Sequence, residues 1–294
     1  MLPDLDTMWD FDRPDASEAA FVRLLPAARA AGDRDYLGQL LTQIARAQGL
    51  QMRFEEAWST LEEALKAIDS EPSVARIRLS LERGRVLNSS KRREESTSHF
   101  RSAWDLARAL HADWLAVDAA HMLGIVEPGD ASIEWNRTAI QAAEESSDPK
   151  ARRWLGSLYN NLGWTYHERG EDLTALDLFQ RALAAREAEG KKGPIEVARW
   201  CVARILRSIG RIDDALEAQR RLLQERPTDG YVCEEIGECL LALGRPEEAR
   251  PHFAAAHAAL QGDPWLARDE PERLERLRRL GGLESAGIPV PRST

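Results

Sequence analysis

Side chains able to make or break bonds are sparse in this sequence. The six histidines include no HExxH pair, and His252 and His257 stand five apart, on different faces of a helix, so no metal site is predicted from them. The three cysteines, Cys201, Cys233 and Cys239, are an odd number without CxxC spacing and suit neither a disulfide framework nor a thiolate zinc site. Cys201 with His167 is the one conceivable nucleophile and base, and a buried helical cysteine is more often inert. GxSxG, GxxxxGK[ST] and GxGxxG are all missing. The expectation is a non-enzyme with no catalytic residue, no metal and no cofactor. What the chain offers instead is recognition chemistry: arginine forks that match carboxylates, asparagine amides that pair with a peptide N–H and C=O together, and tryptophans that supply apolar area.

Composition narrows the partners. A net charge of −9 disfavours nucleic acid as a ligand of the whole surface. No apolar run approaches the roughly 20 residues that cross a bilayer, so no membrane is expected. The stretch MLPDLDTMWDFDRPD is acidic and lacks the basic and apolar regions of a secretion signal, which points to a cytoplasmic protein.

The elements that must position these side chains are clearest from Tyr159 to Leu183, YNNLGWTYHERGEDLTALDLFQRAL. Tyr159, Leu162, Gly163 and Tyr166 mark one face of a first helix, Ala175, Phe179 and Ala182 one face of a second, and Gly170 supplies the left-handed turn between them. Gly163 and Ala175 are small where two helices approach, and Tyr166 and Phe179 fill the space beside them. These eight positions resemble the signature of the tetratricopeptide repeat.

Anchoring on the small residue early in each second helix gives Ala57, Ser96, Ala175, Ala215 and Ala249, at intervals that include 39, 40 and 34 residues. The longer intervals are similar to the extended repeats of kinesin light chain and many bacterial proteins of the family. The resemblance implies an all-α, right-handed superhelical solenoid of about six helix-turn-helix repeats. Repeats are expected near 38–71, 77–110, 112–146, 156–189, 196–229 and 230–263, inside a single array over 1–281. An N-terminal capping helix over 15–31 opens on a capping-box-like Asp15-Ala-Ser-Glu18, a C-terminal capping helix covers 265–280, and 282–294 is expected to be a disordered tail. The 112–146 repeat matches least well and its register is fixed only to within a turn. In the 77–110 repeat Arg83 stands where Leu162 does, and in the 196–229 repeat Gln219 replaces the aromatic.

In that family the first helices line a concave groove. The resemblance therefore implies a groove carrying Gln39, Gln43 and Arg46, then Arg78, Glu82, Arg85 and Asn88, then His121, then Ser157, Asn160, Asn161, Trp164 and His167, then Trp200, Arg204 and Arg207, and last Tyr231 with the acids Glu234, Glu235 and Glu238. Asn161 is the sharpest single expectation, two residues before Gly163, where relatives that hold extended peptides often place an asparagine. Such a groove would take a protein or peptide segment with an acidic or carboxylate-bearing end. The same groups also have structural uses: Asn161 could pair between repeats, exposed arginines such as Arg85 and Arg204 could make inter-repeat ion pairs, and Trp58, Trp104 and Trp135 fall on second helices and are assigned to packing. Two rivals stand beside the scaffold: a peptide-sensing regulator, and an assembly adaptor that self-associates as a homo-oligomer through its convex face or caps.

Overall fold

The computed structural model describes residues 2–283. They fall into two compact units that divide between Thr165 and Tyr166. The tail expected over 282–294 lies, from residue 284 on, outside the described residues. Every described element is helical, and no helix among the described residues is long and apolar enough to cross a membrane.

The first unit opens with a 3-10 turn, Leu5–Met8, and continues through α1 (Pro14–Ala31), α2 (Arg34–Leu50), α3 (Phe54–Ala67), α4 (Val74–Ser89), α5 (Arg93–Ala109), α6 (Asp113–Val126), α7 (Gly129–Glu145), the single turn α8 (Pro149–Arg152) and α9 (Leu155–Glu168), within which the division into units falls. Hairpins form between α2 and α3, α4 and α5, and α6 and α7, and the first helices α2, α4 and α6 follow one another side by side. Each hairpin closes where a small residue on one helix receives a large one from the other. A Cβ on Gly84 would strike the Phe100 ring, and Phe100 is fully buried there. Trp104 and Trp135 meet edge to face at 5.5 Å beside this core, and Arg83 pairs with Glu62 at 2.6 Å while lying 5.6 Å over the Trp58 ring. The long arginine thus reaches past the position that Leu162 fills elsewhere.

The α6–α7 hairpin uses a polar version of the same joint. Asn136 occupies the place of Phe100, fully buried against Gly124, and its amide donates to Gly124 O at 3.3 Å and Ser132 O at 2.9 Å. Ser132 Oγ also donates to Gly124 O at 2.6 Å. A register read from apolar side chains cannot find a joint made of a side-chain amide and a hydroxyl on a backbone carbonyl.

The second unit holds α10 (Asp172–Glu189), α11 (Lys192–Ser208), α12 (Ile212–Glu225), α13 (Gly230–Ala242), α14 (Pro246–Leu260), α15 (Pro264–Asp269) and α16 (Pro271–Leu280). Here α11 pairs with α12 and α13 with α14, and α16 packs on α14. Gly170 is left-handed, φ 76°, before α10. Phe253, Ile236, Leu240, Leu266 and Leu277 form its core.

Two local expectations are corrected. The capping box at Asp15–Glu18 is not made: α1 begins at Pro14 without a side-chain cap, and the Glu18 carboxylate instead accepts from Gln51 at 2.8 Å, Gln48 at 3.1 Å and Arg53. Three donors gathered at the end of α2 compete better for that carboxylate than one backbone N–H. The stretch read as a single capping helix over 265–280 is two helices, because Pro271 keeps Glu270 out of the helical region, at φ −135° and ψ 50°.

Candidate functional site

The inward side chains of the first unit follow from helix spacing. Gln43 and Arg46 on α2, Arg78, Glu82 and Arg85 on α4, and Trp114, Asp118 and His121 on α6 recur at three- and four-residue steps, so each set shares one face. Buried charge must be paired. Arg46 binds Glu82 at 3.2 Å, and Arg85 bonds both Glu82 and Asp118, so an alternating ladder runs across the three helices. Burial alone would lower the Arg85 pKa; Asp118 and Glu82 overcome that and hold it above the usual arginine value. For Arg46, burial and the nearby Arg85 charge prevail over Glu82 and lower it.

Beside the ladder is a cavity of about 260 Å³ whose walls include Gln43, Arg46, Arg78, Trp114, Lys150 and Trp154. The acidic stretch at the start of the chain lies along it. Asp6 binds Arg78 at 2.5 Å and Lys150 at 3.0 Å, and Asp4 binds Lys150 at 3.3 Å. Burial would raise the Asp6 pKa; the Arg78 guanidinium, with Lys150, overcomes it and holds the carboxyl below its ordinary value. Burial likewise opposes the charge on Lys150, and Asp6 and Asp4 raise its pKa in spite of it. Arg78 and Lys150 both lie over the Trp114 ring, at 4.7 and 5.4 Å. Trp9 Nε1 donates to Gln43 Oε1 at 2.8 Å, Phe11 stacks on Trp9 at 4.7 Å, and Arg46 lies over both rings. Arg153, on the same wall, is exposed and has no ion-pair partner among the described residues.

The remaining expected residues are placed as follows. Arg85 belongs to the ladder. Asn161 Nδ2 lies 2.7 Å from His121 Nε2, and the His121 ring meets Trp154 at 5.0 Å. Asn160 and Trp164 are half-buried on α9. In the second unit, His167 Nδ1 bonds Asp172 at 2.6 Å. Arg204 and Arg207 both bind Glu235, at 2.8 and 2.9 Å. Trp200 donates through Nε1 to Tyr231 O at 3.3 Å and meets the Tyr231 ring edge to face. The other acids of α13 are also engaged: Glu234 by Arg273 at 2.6 Å, and Glu238 by Arg276. Cys201, Cys233 and Cys239 are buried thiols, and burial pushes Cys239 up to about 11. Among the described residues no group of three or more His, Cys, Asp or Glu is arranged to hold a metal.

Sequence reasoning reached Gln43, Arg46 and Arg78 but missed Trp114, Lys150, Arg153, Trp154 and the stretch Asp6, Trp9 and Phe11 that completes the cavity wall. Lys150 lies within, and Trp154 just after, a single-turn helix with no repeat signature. The available signal was complementarity: Asp4, Asp6, Trp9 and Phe11 present the acidic and aromatic groups that the arginines and tryptophans of the groove would be expected to hold.

A family model described as tetratricopeptide repeat matches residues 155–189. No curated protein matches the chain. Among solved structures, BtubC (BKLC) from P. vanneervenii is similar with a TM-score of 0.57 and 15% identity, over 77% of this chain and 92% of that one. A tetratricopeptide repeat protein from Parabacteroides merdae gives 0.55 and 14%, over 95% and 97%. The APC/C hetero-tetramer Cut9-Hcn1 gives 0.56 and 15%, over 93% of this chain and 54% of that one. At these identities the likeness is one of fold. The segment 155–189 thus matches a tetratricopeptide repeat, and each unit shares the helix-turn-helix fold of these solved structures.

Proposed function

We propose that the chain is a non-enzymatic interaction scaffold of the cytoplasm, bacterial in type, and that the inner face of its first unit grips an extended acidic segment of a protein partner. The observation that carries this reading is the seat of Asp6: a carboxylate held between Arg78 and Lys150, with Trp114 behind both cations. Arg78 is 6% exposed and braced by that ring, so gripping a carboxylate costs it little further side-chain entropy. Each charge-assisted bond contributes about 1.5–3 kcal/mol, and three or four would support micromolar recognition after ordering costs. Arg153 gives a further carboxylate a place to bind. Asn160, Asn161, Trp164 and His121 would serve the peptide backbone and apolar side chains beyond the cations. In the second unit, a ligand reaching Arg204 or Arg207 would have to compete with Glu235, so those arginines, Trp200 and His167 are assigned a weaker part. Nucleic acid and membrane are not expected ligands.

Selection of a displayed random-peptide library on the full chain tests the reading. Enrichment of aspartate- and glutamate-rich segments is expected. Their binding should fall at least about tenfold in Arg78→Glu/Lys150→Glu and less in Arg153→Glu. Selection of neutral or basic segments that ignore the double variant would overturn it.

A further inference from the structure

We infer that the ligand of this site carries the order acid-x-acid-x-x-aromatic-x-aromatic, and that Asp4, Asp6, Trp9 and Phe11 of the chain itself are its intramolecular stand-in, which a partner segment displaces. The inference rests on the reading of the first unit as an acidic-segment site and names the partner's pattern and the device that regulates access. Four observations carry it. The stretch lies against the cavity through the groups a separate peptide would use: two carboxylates on Arg78 and Lys150, an indole N–H on Gln43, and a stacked aromatic pair under Arg46. Its backbone is tied too, since Tyr36 Oη donates to Pro3 O at 2.9 Å, and Leu5 is 3% exposed as an apolar plug. It is no part of a hairpin, being one 3-10 turn between extended residues with a turn at Phe11; lifting it off uncovers the core face that Leu5, Met8 and Trp9 cover, Trp9 lying 5.2 Å from Phe21, but parts no pair of repeat helices. Finally, Phe11 is 59% exposed, which leaves an open edge where an incoming aromatic can begin exchange.

The physical consequence is a threshold. A segment tethered a few residues from its own site acts at an effective concentration of the order of millimolar, so a free segment of equal intrinsic affinity is held off until the tethered one is weakened or outmatched. Once Asp6 leaves, the walls present Arg46, Arg78, Lys150 and Arg153 against Glu82 and Asp118, and a segment with more carboxylates than the resident one is favoured.

The test uses the full chain and a dye-labelled synthetic peptide, LPDLDTMWDFDR, with an oligoaspartate of equal length as control. Fluorescence anisotropy compares wild type with Asp6→Asn/Trp9→Ala, and with the milder Asp6→Asn should the double variant lose helicity by circular dichroism. The peptide should bind the opened variant about tenfold or more tighter than wild type and tighter than oligoaspartate. In unmodified protein, saturating peptide should speed hydrogen exchange at the amides of Asp6 and Asp10, which are bonded to Asp4 Oδ1 and Ser17 Oγ. Equal peptide affinity for wild type and a folded opened variant, with no change in exchange, overturns the stand-in while leaving the acidic site standing. Oligoaspartate bound as tightly as the peptide overturns the acid–aromatic order alone. An opened, folded variant that binds neither probe removes both this inference and the acidic-segment reading.

Discussion

The two units satisfy their inner-face arginines in opposite ways. In the second, Arg204 and Arg207 share Glu235 across adjacent helices, while Arg273 and Arg276 of α16 take Glu234 and Glu238. Those partners all stand on helices with packed apolar sides. In the first, the Arg46–Glu82–Arg85–Asp118 ladder is built likewise, but Arg78 and Lys150 are satisfied by Asp6, which belongs to no hairpin. An ion pair between two packed helices cannot open without parting them, whereas one to a stretch outside the hairpins can. On the proposed reading the difference separates charge that holds a fold together from charge open to exchange, and substitutions probe it in order of expected effect.

The apolar joints should be alike in both units. Phe100→Ala and Phe253→Ala each remove a fully buried ring seated on a glycine, and each should cost about 3–5 kcal/mol in urea unfolding. A gap of several kcal/mol between them would mean the units differ in their cores and not only in their charges. Next, Glu235→Ala leaves two guanidinium groups, 23% and 20% exposed, without their shared acceptor. A loss of about 1.5–3 kcal/mol is expected, below the fully buried case because water reaches both. If the stretch lifts off as proposed, Asp6→Asn should cost no more than about 1 kcal/mol, because water then solvates Arg78. Equal losses for the two would erase the distinction.

A third pair has opposite signs. Asn136 in the first unit and Gln219 in the second both replace the aromatic of the joint and both are fully buried. The Asn136 amide has two acceptors, whereas neither side-chain amide atom of Gln219 has a hydrogen-bond partner. Gln219→Met should therefore raise the melting temperature, by the equivalent of about 1 kcal/mol, and Asn136→Leu should lower it. If both substitutions stabilise, the bonds of Asn136 contribute nothing.

The smallest effect is on pH. The Asp6 pKa is lowered in the folded state, so its contribution is fully present above the ordinary aspartate value of about 3.9 and is lost as pH falls through the lower, folded value. Acidification below that ordinary value should release Trp9 before the helices melt, read as a change in tryptophan fluorescence at constant helicity. Simultaneous loss of both signals would mean the stretch is part of the cooperative fold.

Much of the fold was legible because its determinants are local. Small residues at the hairpin joint, a large ring opposite and an apolar stripe of helical period lie within a few turns of each other, and the repeat from Tyr159 to Leu183 states them in full. Where a joint switched to a hydroxyl and an amide, at Ser132 and Asn136, that signal vanished and the register with it. Arginine also reads the same in sequence whether it meets a ligand or a neighbour. Arg85, Arg204 and Arg207 were candidates for the groove by type and position, and only the acceptors brought beside them by adjacent helices reveal their ion pairs.

The sequence by itself determined the hairpin architecture, since helical periodicity and close-approach residues need no knowledge of distant neighbours. The tertiary structure alone decided which charges pair among the hairpins and which pair with the stretch outside them. Asp6 meets Arg78 across 72 residues and Lys150 across 144. Nothing in local spacing encodes such pairs; they exist because stacking the first helices of successive hairpins gathers cations from distant turns around one cavity, where an acidic stretch is the lowest-energy neighbour.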